Sequence, residues 1–387
     1  MHAQTDCTIV GASFAGLSCA TSLARAGLNV AVVEKKADPG EKLHTTGIIV
    51  KDAIDQIALL DSLPGHLFRR VGGVRLYAPN LRHIDLVAPG YYFLATDTPN
   101  LMRWLAAQAE GAGAKVVCRA PFRSAERIQG GFDLGELGTT RYLIGADGPN
   151  SRVARSLGLG TNSRFLFGVE HEYAGLQIAE DDKLHCFIDR RVAPGYIAWV
   201  IPGVGITQVG LARRIRPRQP TPESALSALL EKIAPVFDFR DQQPTAVRAG
   251  MIPCGGLVRP VAGKRILLVG DAAGMVSPLT AGGIHTALKH GLAAGHAVAD
   301  FLAGRRDDPS GWFVDCYPRF RAKRLLRLAF DLFQSDLFFN ILLKSRPMRW
   351  AAGIVYFNHK GVFDPTAATP LSETSLVSSP SGAEPPG

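Results

Sequence analysis

Two short clusters of glycine and acid can do chemistry near the start of this chain. Gly11-Ala-Ser13-Phe14-Ala15-Gly16 follows an apolar run, Cys7 to Val10, and opens an alanine-rich stretch that stops at Gly27. A second apolar run, Val30 to Val33, ends on Glu34 and Lys35, and Glu34 lies 18 residues after Gly16. Gly11 allows a sharp turn, and small residues let the backbone approach a pyrophosphate. The helix that follows presents free N–H groups to the negative charge. A carboxylate at the position of Glu34 can bind ribose hydroxyls. The pattern predicts strand, tight turn, helix and strand around an ADP moiety, with Ser13 in place of the usual middle glycine. The uncharged run from Cys7 to Ala24 is not read as a membrane span, because Gly11 and Gly16 break it at turn spacing.

Two later stretches repeat the theme. Tyr142 to Ile144 runs into Gly145-Ala-Asp147-Gly148, with a helix expected near Ser151. Asp147 can accept from hydroxyls or cap that helix, and both readings stay open. Ile266 to Val269 runs into Gly270-Asp271, then Ser277-Pro278-Leu-Thr280-Ala-Gly282-Gly283-Ile284, then a long alanine-rich helix to about Ala303. That helix start offers unpaired N–H groups and a positive dipole end. It suits a flavin, with Asp271 on a ribityl or pyrophosphate-side hydroxyl and the helix end against the pyrimidine edge.

The elements that must position these residues follow from pattern. A helix is expected from about Lys51, strands at Val74 to Tyr77 and Tyr91 to Leu94, and a helix from Asn100 to Glu110. Ala114 to Cys118 is expected as a strand and Phe132 to Leu137 as a hairpin partner. From about Leu166 to Met251 the pattern turns to alternation with aromatics and Pro-Gly turns. It predicts an antiparallel sheet with one covered face, interrupted by a helix at Pro222 to Ile233. Trp312 to Phe357 is basic, aromatic and helical in pattern, suited to covering the core, to resting on anionic headgroups, or both. The tail from about Thr366 is rich in Ser, Pro and Gly and is expected to be disordered.

The 387 residues carry 47% hydrophobic and 20% charged residues and a net charge of +9. That charge favours anionic cofactors or membrane surfaces, and no nucleic-acid module is present. The six cysteines form no C-x-x-C pair and no cluster with metal-ligand spacing, so no metal is expected. Their placement in apolar runs suits a reducing compartment, and no signal peptide is seen. The expected location is cytoplasmic, with peripheral contact on the inner membrane surface.

The three motifs in this order resemble the flavin-dependent geranylgeranyl reductase family, within the p-hydroxybenzoate hydroxylase-like flavoproteins. The resemblance covers roughly residues 6 to 330. It implies FAD as cofactor and an α/β fold: a Rossmann-type FAD-binding domain with an inserted antiparallel-sheet (α+β) substrate domain and C-terminal helices. The division expected is 1–73, 96–160 and 254–305 for FAD, 74–95 and 161–253 for substrate, 306–365 for the helices and 366–387 for the tail. Implied cofactor contacts are Gly11, Ser13, Phe14, Ala15, Gly16, Glu34, Lys35, Asp147, Gly148, Gly270, Asp271, Pro278, Gly282, Gly283 and Ile284.

A fourth stretch, Ala193-Pro-Gly195-Tyr196-Ile-Ala-Trp199-Val-Ile201-Pro202, is similar to the P-x-G-Y-x-W-x-F-P strand that lines the substrate cavity of these reductases. One extra residue separates Tyr196 from Trp199, and Ile201 replaces Phe. The stretch also resembles the W-x-W-x-I-P motif of flavin-dependent halogenases, whose first Trp would fall on Ile197. Many of these reductases carry a cysteine shortly after the ribose-binding acid. Here that region reads GEKLHTTG, and His44, with Thr45 and Thr46, takes the place as proton donor or polar contact. An arginine often found before the helix near Asn100 is absent, and Arg103 either takes its place or lies only on the helix surface. The implied activity is reduction of an isoprenoid or prenyl-lipid or quinone double bond, with His44, Tyr196 and Trp199 in the cavity. NAD(P)H or a ferredoxin-like donor would reduce the flavin transiently. The rivals are a monooxygenase or halogenase on the same scaffold, and a flavoprotein with a non-redox or binding role.

Overall fold

The computed structural model describes residues 4–214, 219–320, 323, 325, 327, 328, 330 and 334–357. The expected tail at 366–387, residues 358–365, and Arg321 and Arg324 lie outside them.

Strand Gln4–Val10 pairs in parallel with Val30–Val33 on one side and Thr139–Gly145 on the other. The sheet extends to Lys115–Val117 beyond Val33 and to Ile266–Leu268 beyond Gly145, again in parallel. These strands are short and apolar because they lie in the core, and Cys7, Ile9, Val30, Val32 and Leu143 are fully or almost fully buried. Gly131–Asp133 adds an antiparallel hairpin strand at Thr139–Thr140. It ends sooner than expected, because Gly135–Leu137 closes into a 3₁₀ turn.

Parallel pairing has one decisive consequence. The carboxyl ends of four neighbouring strands, Leu268, Gly145, Val10 and Val33, lie side by side at one edge. Motifs separated by more than two hundred residues therefore open onto one crevice. Helix Phe14–Arg25 and helix Ile284–Leu302 cross above the sheet on small residues. A Cβ at Gly291 would collide with the Ser18 Oγ and the Ala15 carbonyl, and one at Gly295 would lie 2.6 Å from the Ser22 Cβ.

The second sheet runs Ala246–Pro253, Phe165–Ala174, Ile206–Arg213, Ala198–Pro202, Lys183–Phe187, Gly73–Tyr77, His83–Val87. It departs from expectation twice. Lys183–Phe187 and Gly73–Tyr77 are parallel, since a long connection rather than a hairpin joins them. Both faces are covered, not one. Helix Pro222–Ile233 buries Leu226, Leu229 and Ile233 against Val169, Val209 and Leu211 on one face. On the other, Leu76, Leu184, Cys186 and Ile201 meet Phe339, Leu343, Ala352 and Phe357 of the C-terminal helices Asp336–Leu342 and Arg346–Phe357. A third, antiparallel sheet joins Ile48–Val50 and Phe68–Val71 to Phe93–Thr96.

Candidate functional site

The first turn builds an anion cradle. Gly11 has φ +106°, and a Cβ there would strike the carbonyl of Ala146, so the first and second motifs touch through bare backbone. Ser13 caps helix Phe14–Arg25, its Oγ accepting from Gly16 N–H at 3.2 Å. Glu34 is buried, with Oε2 accepting from Ala12 N–H and Oε1 from Lys36 N–H, both at 2.9 Å. A carboxylate has about four acceptor positions, so capacity remains for hydroxyl donors. Lys35 is exposed beside it. Arg103 lies apart from the turn: its Nε donates to Asp38 at 2.8 Å and its Nη1 to Asn100 at 2.7 Å. It braces the loop after Glu34.

Asp147 caps the helix that follows it. Its Oδ1 accepts from Ser151 Oγ at 2.6 Å, and its Oδ2 from the backbone N–H of Arg152 at 2.6 Å and Val153 at 3.1 Å. Both oxygens serve the start of helix Arg152–Ser156. Gly148 continues that turn with φ +83°.

Asp271 differs. Among the described residues its carboxylate has no hydrogen-bond partner, and burial pushes it up to about 6. Gly283 is its neighbour: a Cβ there would lie 3.6 Å from Oδ1. The loop between them is held by Ala281 N–H to Ser277 O at 2.9 Å and Ser277 N–H to Gly282 O at 3.1 Å, and Arg327 donates to the Pro278 carbonyl at 3.3 Å. Helix Ile284–Leu302 begins after Gly283 with no side-chain cap. A carboxylate without a partner among the described residues, an uncapped helix end, and the Gly11 turn, where a Cβ would strike the Ala146 carbonyl, all open on one crevice and fit a dinucleotide whose far end is a flavin. Glu34 would hold the ribose end, Gly11 to Gly16 the pyrophosphate, and Asp271 with Gly282 and Gly283 the flavin end.

Facing this crevice is the second sheet. Tyr196 is half-buried and its hydroxyl donates to the Thr280 carbonyl, so the turn that leads into strand Ala198–Pro202 is tied to the 277–283 loop. Tyr196, Trp199 and Ile252 pack with Ala281 in one small apolar cluster. Trp199 also borders the larger cluster under the C-terminal helices, together with Ile197, Met348 and Tyr356.

His44, Thr45 and Thr46 dock on the same sheet. His44 packs over Gly250, where a Cβ would lie 2.6 Å from the His44 Cβ. The Thr45 carbonyl accepts from Arg248 at 2.8 Å, and Thr46 Oγ1 donates to Glu170 at 2.7 Å. Sequence reasoning missed Glu170, Glu172, Gln208 and Arg248. Glu170 is 4% exposed and accepts from Trp199 Nε1 at 2.8 Å and Gln208 Nε2 at 3.2 Å. Burial raises its carboxyl above the usual range, while Thr46 and Trp199 oppose the shift. Glu172 pairs with Arg248 at 2.5 Å. The available signal was two carboxylates at strand spacing inside an otherwise apolar run, FLFGVEHEYA.

Comparisons place this geometry among known proteins. The sequence profile of the FAD binding domain family matches residues 4–325. A digeranylgeranylglycerophospholipid reductase from Methanopyrus kandleri is 32% identical over 330 residues, 81% of this chain and 81% of the relative. A geranylgeranyl bacteriochlorophyll reductase-like protein from Thermoplasma acidophilum superposes with a TM-score of 0.77 at 20% identity, covering 93% of this chain and 98% of its own. A point mutant of the halogenase PltM, solved in complex with FAD, superposes with a TM-score of 0.69 at 16% identity over 87% of this chain and 78% of its own. These two structural likenesses establish the fold.

Proposed function

Because this chain belongs to the geranylgeranyl reductase family of FAD-binding oxidoreductases, we propose that it reduces carbon–carbon double bonds in the prenyl chain of an isoprenoid lipid or quinone. The observation that carries the reading is the bond from Tyr196 to Thr280. It joins a sheet face lined by Trp199, Ile201 and Cys186, and roofed by Phe339, Leu343 and Phe357, to the loop at the flavin end of the crevice. A surface of that composition excludes water and holds an apolar chain.

When bound and reduced, FAD supplies the hydride. The chain does the rest. The uncapped helix end at Gly282 and Gly283 stabilises negative charge on the cofactor. Tyr196 and Trp199 shape the wall against which a prenyl chain lies. His44, set on Gly250 beside the loop, is the polar contact from which a proton reaches the second alkene carbon. The reductant, NAD(P)H or a ferredoxin-like protein, docks transiently.

The exposed side of the C-terminal helices gives the protein a membrane face. Leu337, Ile341 and Trp350 are 68%, 67% and 68% exposed, with Leu325, Leu328 and Phe338 nearby in sequence and Lys344, Arg346 and Arg349 between them. Apolar side chains flanked by cations suit an anionic lipid surface, on the cytoplasmic side where a prenyl lipid presents its chain. Among the described residues no helix is long and apolar enough to cross a membrane.

The test is anaerobic reoxidation of the reduced holoenzyme by a panel of prenyl lipids and prenyl quinones, with mass analysis of the product. Reoxidation with a gain of two hydrogens is expected. A product that forms only with oxygen, or that gains oxygen or halogen, would transfer the chain to the monooxygenase or halogenase reading.

A further inference from the structure

We propose that Glu170 is a positioning residue: one carboxylate fixes both the indole of Trp199 and the 44–46 loop, and so sets the width of the substrate cavity. This rests on the reading that Trp199 lines that cavity.

The register shows how the indole arrives there. Trp199 lies opposite Gly210, and Gly210 lies opposite Glu170 on the next strand. Trp199 and Glu170 are thus two strands apart, about 10 Å at ordinary sheet spacing. The indole spans the gap by lying across Gly210, where a Cβ would be 2.8 Å from the ring. No other residue type at 210 leaves that path open. At its end Nε1 donates to Glu170 Oε2 at 2.8 Å.

The same oxygen accepts from Thr46 Oγ1 at 2.7 Å, and the other oxygen from Gln208 Nε2 at 3.2 Å. Thr46 comes from the loop that follows the ribose-binding acid, 124 residues away in sequence. Its neighbours dock in step on the adjacent strand, Thr45 on Arg248 and His44 on Gly250. Arg248 is held in turn by Glu172, which lies two residues beyond Glu170 on the same face. Loop and cavity wall are therefore set by the same pair of carboxylates.

A buried carboxylate is costly, and an apolar residue of similar volume would be cheaper at this position. Three converging donors offset the cost and, unlike apolar packing, impose direction on the indole plane. The charged groups around Glu170 are Glu172 on its own strand and Arg248 on the next.

The experiment uses the full chain loaded with FAD and labelled with 15N at its four tryptophans, Trp104, Trp199, Trp312 and Trp350. Trp199→Phe identifies the Trp199 indole resonance. In Glu170→Gln that resonance should move markedly upfield in proton shift, while the other three stay in place and FAD affinity changes by less than twofold. KM for the prenyl substrate should rise at least fivefold, with a smaller change in kcat, and Glu170→Asp should recover part of the loss. Trp199→Phe should raise KM similarly, and adding Glu170→Gln to it should cost little more, since both remove one interaction.

An unmoved indole resonance in Glu170→Gln, or additive effects of the two substitutions, would overturn the proposal. Should Glu170→Gln fail to fold, Glu170→Asp and Trp199→Phe carry the same comparison. If no prenyl substrate is turned over, the indole shift still decides the clamp, so the two readings fail separately.

Discussion

Tyr196 donates its hydroxyl to the backbone carbonyl of Thr280, 84 residues further along the chain. One residue lies just before strand Ala198–Pro202 of the second sheet and the other in the loop that opens helix Ile284–Leu302. Arg327 lies over the Tyr196 ring at 6.0 Å and donates to the Pro278 carbonyl, so the loop is held twice from the same side. Tyr196→Phe keeps the ring and strands the carbonyl, which costs about 1–3 kcal/mol for a buried acceptor. Thermal midpoint should fall by several degrees, and flavin release, followed by recovery of flavin fluorescence, should quicken. Equal midpoints and release rates would show that the hydroxyl does not hold the loop.

Glu34 ties Ala12 N–H to Lys36 N–H through its two oxygens, binding the cradle to the end of the second strand. Glu34→Ala loses both bonds and the ribose acceptor. FAD affinity should drop about 10- to 100-fold, at roughly 1.4 kcal/mol per tenfold. Fluorescence titration of the flavin-free protein reads this directly, and a dissociation constant within twofold of the parent would remove Glu34 from the site.

Gly291 shows two opposing terms. Replacing glycine by alanine inside a helix gains about 1 kcal/mol of propensity. Here the added Cβ would drive into Ser18 and the Ala15 carbonyl, and overpacking of this kind costs about 1–3 kcal/mol or more. The second term wins, because the obstacle includes backbone of the neighbouring helix. Gly291→Ala should lower the thermal midpoint and weaken FAD binding, since helix Ile284–Leu302 carries the flavin-end N–H groups. A more stable Gly291→Ala variant would mean that the helices can separate freely.

Asp271 gives a pH signature. Burial holds its carboxyl up at about 6, against an ordinary 3.8. The folded state then binds more protons than the unfolded state between those values, so the contribution of this group to stability falls as pH rises through that window. Asp271→Asn removes the titration. In flavin-free protein the variant should gain in thermal midpoint over the parent between about pH 4 and pH 6, and the gap should stay constant above. A gap that is independent of pH, or that opens in the opposite sense, would contradict a desolvated carboxylate with no partner among the described residues.

The C-terminal helices carry the remaining prediction. Leu337, Ile341 and Trp350 are exposed, so changing all three to serine should leave folding intact. Binding to vesicles rich in phosphatidylglycerol should fall by about tenfold or more, while turnover of detergent-dispersed substrate stays near that of the parent. Parent binding should weaken with salt, because the flanking cations supply part of the attraction. Co-sedimentation that is unaffected by the triple change would place the membrane face elsewhere.

The cofactor crevice was legible because its residues are local. Gly11, Gly16 and Glu34, like Gly270 and Asp271, sit at strand ends within single short segments, and backbone geometry alone dictates glycine and acid there. Asp147 was legible only as a choice between ligand and cap, and its three donors show the cap. The second sheet was misjudged for a related reason. Alternation along Phe165–Ala174 implies one wet face, but its polar positions, Glu170 and Glu172, are buried against another part of the chain.

By itself, then, the sequence determined the strand, turn and helix units at the crevice, the long helix after Gly283 and the apolar character of strand Ala198–Pro202. These are written in spacing along one segment. Only the tertiary structure decided that Trp199 reaches Glu170 across Gly210, that Thr46 meets the same oxygen, and that Tyr196 holds Thr280. Each of those contacts joins segments far apart in the chain. Their partners are chosen by strand register and sheet packing, which no single segment encodes.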